Sequence, residues 1–199
     1  MSAPRPIVMA ITGASGAPYG VRLLQALVQA EQPVSLIVSS HGLRLIQTET
    51  SLGSVEGLRA HVGASAWDRW VRVYDDGDRG AGPASGSHRA RAMVVCPCSM
   101  GTLAAIAAGT SRSLVERAAD VTLKERRPLI LVTRETPLSS IHLENMLRVT
   151  HAGAVVMPAA PGFYNKPTRI EELVDFMVAR VMDHLGVENA LAPRWGETP

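Results

Sequence analysis

Short apolar runs recur along this chain, and most give way to residues at helical spacing. That alternation leaves few folds open. Pro6–Thr12 (P-I-V-M-A-I-T) carries no polar side chain before Thr12, the pattern of a strand buried on both faces. Val21, Leu24, Leu27 and Val28 then follow at helical spacing up to Ala30. The same reading predicts strands at Leu36–Ser39, Val71–Tyr74, Ala92–Cys96, Pro128–Thr133 and Ala154–Met157. It predicts helices at Gly42–Thr50, Gly101–Ala108, Leu114–Glu125, Ser140–Ala152 and Ile170–Leu185. Ser51–Arg91 is less regular, with a Gly-, Asp- and Ser-rich loop over Asp75–His88. The pattern implies an α/β fold: a single doubly wound, Rossmann/flavodoxin-like parallel sheet with helices on both faces. No repeat or linker interrupts it, so residues 1–199 read as one domain with residues 186–199 as a C-terminal tail.

Composition narrows the function classes. Of 199 residues, 46% are hydrophobic and 19% charged, with a net charge of +2, which suits a globular protein with a sizeable core. No basic stripe points to nucleic acid, and no apolar run reaches membrane-spanning length. The first residues are too short for a secretory core, so the expected location is the cytoplasm. Cys96 and Cys98 form a C-P-C triplet, neither a C-x-x-C redox motif nor half of a visible zinc site. They read as two small residues at a tight strand end.

Ligands of doubly wound sheets sit beyond the carboxyl ends of the strands. Three predicted strand ends carry polar loops: Thr12–Gly16, Cys96–Thr102 and Arg134–Pro137. The first is glycine-rich and opens a helix, so its free amides suit an anion or a flavin ring edge. Its glycines run G-x-x-G-x-x-x-G, which is not a dinucleotide fingerprint, and Ser39-Ser40 stands where an NAD site needs an acid. The second loop offers Ser99 and Thr102 at a helix start, where plain N-capping is the competing explanation. Arg134 and Glu135 at a buried strand's end require partners or a ligand. Asp75-Asp76-Gly77-Asp78 has an aspartate-rich look, but Arg79 follows and no second copy exists, so it reads as a surface loop. The histidines show no metal-ligand spacing, and no metal is expected.

Taken together, the motifs resemble the flavin prenyltransferase family of the ubiquinone pathway over almost the whole chain. They are T-G-A-S-G-A-x-Y-G (Thr12–Gly20), P-C-S-M-G-T-L (Pro97–Leu103) and R-A-A-D-V-x-L-K-E-R-R-P-L (Arg117–Leu129). R-E-T-P-L (Arg134–Leu138), G-A-V-V-M-P (Gly153–Pro158) and P-G-F-Y (Pro161–Tyr164) complete them. The resemblance implies that Gly13, Ala14, Ser15, Ser39, Ser99, Met100, Gly101, Thr102 and Arg134 contact FMN. It implies that Lys124, Tyr164 and Arg180 grip an isoprenoid phosphate, with Arg117 nearby and Trp195 covering the prenyl site. Glu49 and Glu135 fall where the family keeps acid/base carboxylates; Ser15 and Lys124 join the catalytic set. The Ser85-Gly86-Ser87 loop is expected to approach the flavin.

The reaction so implied moves a dimethylallyl group from dimethylallyl monophosphate to N5 and C6 of reduced FMN. Fixed Lys and Arg groups stabilise the departing phosphate without a metal. The prenylated product would go to a partner decarboxylase, and the resemblance further implies a homododecamer with sites between subunits. Direct decarboxylation of the cysteine-decarboxylase type competes, but those enzymes carry P-A-S-A-N-T where this chain has P-C-S-M-G-T, and His41 is the only early candidate for their catalytic histidine. A non-catalytic flavin module ranks last.

Overall fold

All five residues of β1 (Ile7–Ile11) are buried, as the centre of a sheet covered on both faces demands. The computed structural model describes residues 4–194 and 196. After β1 come α1 (Ala17–Gln29), β2 (Val34–Val38), α2 (Ser40–Glu49), α3 (Val55–Val62), α4 (Ala64–Trp70) and β3 (Val71–Tyr74). A 3-10 turn at Gly82–Ala84 leads to β4 (Ala92–Cys98), α5 (Met100–Ala107) and α6 (Leu114–Lys124). Then follow β5 (Leu129–Thr133), α7 (Ser140–His151), β6 (Val155–Pro158) and α8 (Ile170–His184). The strands form one parallel sheet in the order β3-β2-β1-β4-β5-β6. The predicted doubly wound fold is therefore the observed one.

Alternation along β1 divides the core. Ile7, Met9 and Ile11 pack with α1, α3, α4 and α8, whereas Val8 and Ala10 pack with α5, α6 and α7. The chain changes face between β3 and β4, so the strand order reverses at the β1–β4 junction. That reversal opens the crevice in which such folds bind ligands.

Two features at this junction follow from small residues. Gly20 of α1 packs onto β4 so closely that a Cβ there would lie 2.5 Å from the Cys96 carbonyl oxygen. Gly20→Ala is therefore expected to lower the unfolding free energy by about 1–3 kcal/mol, read as a lower urea midpoint at unchanged m-value. β4 continues past Pro97, where the sequence predicted it to stop at Cys96, and its register on β5 shifts between Val95 and Cys98. The shift sends Cys96 to one core cluster and Cys98 to the other. Both thiols are free and buried, and burial pushes the Cys98 thiol up to about 12.

Candidate active site

The loop after β1 and the loop after β4 are joined by one buried hydroxyl. Thr12 Oγ1 donates to the Pro97 carbonyl at 2.9 Å and accepts the Ser99 amide at 2.9 Å, while the Thr12 amide also donates to Pro97 O. Thr12 is 2% exposed, so neither bond competes with solvent. Arg134, at the end of β5, reaches across to donate from Nε to the Ser15 carbonyl at 3.0 Å. Ser39 caps α2, accepting the Gly42 amide at 3.0 Å, and its own amide donates to Ile11 O. Ser99 caps α5, accepting the Thr102 amide at 3.2 Å. Gly13 packs against the His41 side chain. Gly13, Ala14, Ser15, Ser39, Ser99, Met100, Gly101, Thr102 and Arg134 thus lie on contiguous loops at one edge of the sheet. Three helices, α1, α2 and α5, begin there, and their N-terminal ends are the positive ends of helix dipoles, which suit a phosphate or an electron-rich ring edge.

Glu49 belongs to the same cluster. Its Oε2 accepts the amides of Gly16 and Ala17, each at 2.8 Å, so a side chain from the end of α2 caps the start of α1. Gly16 turns the chain into that cap with φ +115°, a left-handed conformation open to glycine at little cost. Burial works against ionisation of Glu49. The Ser15 hydroxyl, the two amides and the Arg134 charge outweigh it and hold the carboxyl below its ordinary value. The residue is a carboxylate that organises the first loop. Glu135 differs: it is exposed, and its Oε1 accepts only the neighbouring Thr136 amide, at 3.1 Å, among the described residues.

The expected phosphate-gripping set does not assemble within one chain. Lys124 ends α6, four positions before Pro128 and at the edge where the strands begin; it pairs with Glu125. Arg117, also on α6, pairs with Asp120 at 2.7 Å and donates to Ala84 O at 3.2 Å. The α6 helix covers the face that holds Val8 and Ala10, whereas α8, which carries Arg180, covers the opposite face. Tyr164 stacks edge-on against Phe176, with ring centroids 5.7 Å apart, beside Arg180 and beyond β6. The Ser85–Ser87 loop also departs from expectation. Arg127 donates to Gly86 O at 2.8 Å, holding that loop by Lys124 at the strand-start edge, away from the chain's own flavin-side loops. Trp195 lies outside the described residues.

Comparison with known proteins decides the family. A family model described as Flavoprotein matches residues 1–182. The flavin prenyltransferase UbiX of Pseudomonas aeruginosa is 52% identical over 204 residues, covering 99% of this chain and 97% of that protein. This chain belongs to the flavin prenyltransferase family. A crystal structure of AnUbiX (PadA1) in complex with FMN and dimethylallyl pyrophosphate superposes with a TM-score of 0.91 at 43% identity, covering 99% and 100% of the two chains. A dodecameric FMN-dependent UbiX-like decarboxylase from Escherichia coli O157:H7 gives 0.88 at 42% identity, covering 96% and 100%. As a flavin prenyltransferase family member, the chain is a transferase acting on a flavin.

Sequence reading missed what several polar residues do, at these loops and away from them. Thr12 looked like the end of an apolar run; a hydroxyl at the last position of a buried strand was the available signal. The aspartates of the 75–78 loop turn out to serve the backbone. Asp75 and Asp78 accept the amides of Gly77 and Gly80, and Asp76 Oδ1 accepts the Val115 amide at the start of α6. His142 completes a capping box with Ser139 at the start of α7.

Proposed function

We propose that this chain transfers a dimethylallyl group from dimethylallyl monophosphate to reduced FMN, forming bonds at N5 and C6, and that the prenylated FMN serves a partner decarboxylase. The observation that carries the reading is the set of polar loops from β1, β4 and β5, bonded together by Thr12 and Arg134 over these helix N-termini. Those donors fit a flavin's polar edge and its phosphate. Reduced FMN, when bound, supplies the electron-rich N5 and the C6 position that closes the added ring. The protein's part is to orient and to balance charge. Ser15, Ser39, Ser99–Thr102 and Arg134 hold the acceptor, and Glu49 keeps the first loop in shape. Lys124, Arg117, Tyr164 and Arg180 stabilise the departing phosphate, a role that fixed cations fill without reorganisation. Glu135, exposed beside Arg134, moves the protons that ring closure requires.

The opposite-face placement of Lys124 and Arg180 supports a site shared between copies of the chain. We place Lys124 and Arg117 of one copy against Tyr164 and Arg180 of another, in a homododecamer like that of the E. coli relative. No helix among the described residues is long and apolar enough to cross a membrane.

Incubation with FMN, a reductant, dimethylallyl monophosphate and a metal chelator is expected to raise the flavin's mass by one five-carbon unit. An unchanged flavin, with CO₂ released from a supplied carboxylic acid, would overturn the assignment in favour of direct decarboxylation.

A further inference from the structure

Past α8 the chain doubles back, and one carboxylate holds it there. Asp183, in the last turn of α8, accepts Asn189 Nδ2 at 3.1 Å and Arg194 Nη2 at 3.1 Å through Oδ1. Its Oδ2 accepts Arg180 Nη1 at 3.4 Å. Asp183 itself is one-quarter exposed, whereas the Arg180 and Arg194 side chains are half exposed. Ala192, Pro193 and Arg194 of the returning segment wall a cavity of about 350 Å³ whose other sides include Tyr164, Phe176 and Arg180. Two guanidinium groups therefore border one cavity, and the acid between them answers their mutual repulsion.

An arginine on an open helix surface samples many rotamers, and a second arginine on a chain terminus samples more. A shared carboxylate removes that freedom. It engages one nitrogen of each guanidinium and leaves the remaining N–H groups for an anion, which arginine binds through paired donors. We propose that Asp183 is a positioning residue of the prenyl-donor site, fixing Arg180 and strapping residues 189–194 across the cavity so that Arg194 becomes a second cation for the donor's phosphate. This rests on the prenyl-transfer reading and adds to it a residue, a cation and a segment.

The test uses the full-length, FMN-loaded protein. With oxidised flavin, where no turnover occurs, calorimetry measures dimethylallyl monophosphate binding directly. Asp183→Asn is expected to weaken donor binding and raise the donor KM by about tenfold, with kcat lowered much less and FMN affinity unchanged. Trypsin should cut after Arg194 faster in that variant, because the segment has lost its anchor. Asp183→Glu should restore part of the donor affinity. Arg194→Gln, which leaves α8 intact, keeps the question open to measurement if Asp183→Asn folds poorly, and should weaken donor binding about threefold or more. Donor affinity equal to or tighter than wild type in both Asp183→Asn and Arg194→Gln would overturn the proposal. If wild-type protein forms no flavin adduct, the assigned reaction falls instead, and donor binding with trypsin cleavage still judges the strap.

Discussion

Replacing Glu135 by Gln is expected to leave FMN binding within a few-fold of wild type and to slow product formation by about 100-fold or more, the range typical of a lost general acid–base group. The reasoning starts from what holds the side chain. Among the described residues its only hydrogen bond is from the Thr136 amide, which a glutamine oxygen can also accept. The substitution therefore removes a titratable oxygen and little else. Arg134 lies next in the chain and reaches the Ser15 loop, so position 135 borders the proposed flavin site without belonging to its scaffold. The effect should fall on kcat, with KM for the donor nearly unmoved. Single-turnover mixing with the flavin spectrum as readout measures this; turnover near the wild-type rate would remove Glu135 from the chemistry.

Glu49 should behave in the opposite way. Glu49→Ala strips two amides at 2.8 Å of their acceptor and frees the first loop from α2. Hydrogen bonds to a charged group contribute about 1.5–3 kcal/mol each, and partial exposure reduces that, so a loss of roughly 2–4 kcal/mol of stability is expected. FMN retention should fall with it, because Gly13–Ser15 would no longer be held. The pH dependence follows from linkage. A carboxyl held below its ordinary value of 4.5 in the folded chain binds protons less readily there than when unfolded. Its contribution is fully present above that ordinary value and disappears as pH falls through the lower folded one. Wild-type stability should thus decline below about pH 4.5, and Glu49→Ala should show a shallower acid limb in urea titrations across that range. An unchanged urea midpoint at pH 7 would show that the cap contributes nothing.

The frame of the fold was legible because buried parallel strands leave apolar runs, as β1, β4 and β5 do. The partly exposed edge strand β3 (V-R-V-Y) shows only through its β-branched and aromatic residues. The helices α3 and α4 were not legible. Each is short, and each buries a single side chain, Leu58 in one and Trp67 in the other, so no periodic stripe exists to be found. The proline in β4 ended the predicted strand at Cys96, yet that proline contributes the carbonyl that Thr12 needs. Site legibility split along similar lines. The loops at the strand ends announce themselves, since glycines and hydroxyls interrupt apolar sequence there. Lys124, Arg117, Tyr164 and Arg180 carry no such signal, and no spacing in the chain says that α6 and α8 cover opposite faces. Asp183 was equally hidden, because its partners lie on the same helix and on a returning segment with no regular pattern.

The Thr12 hydroxyl has a consequence for where ordering occurs. Bonded to one strand's partner on both its donor and acceptor sides, it gives the loops after β1 and β4 a common frame of reference. Their relative wobble is removed when the polypeptide folds, so a ligand arriving later meets donors already aligned and loses less of its affinity to arranging them.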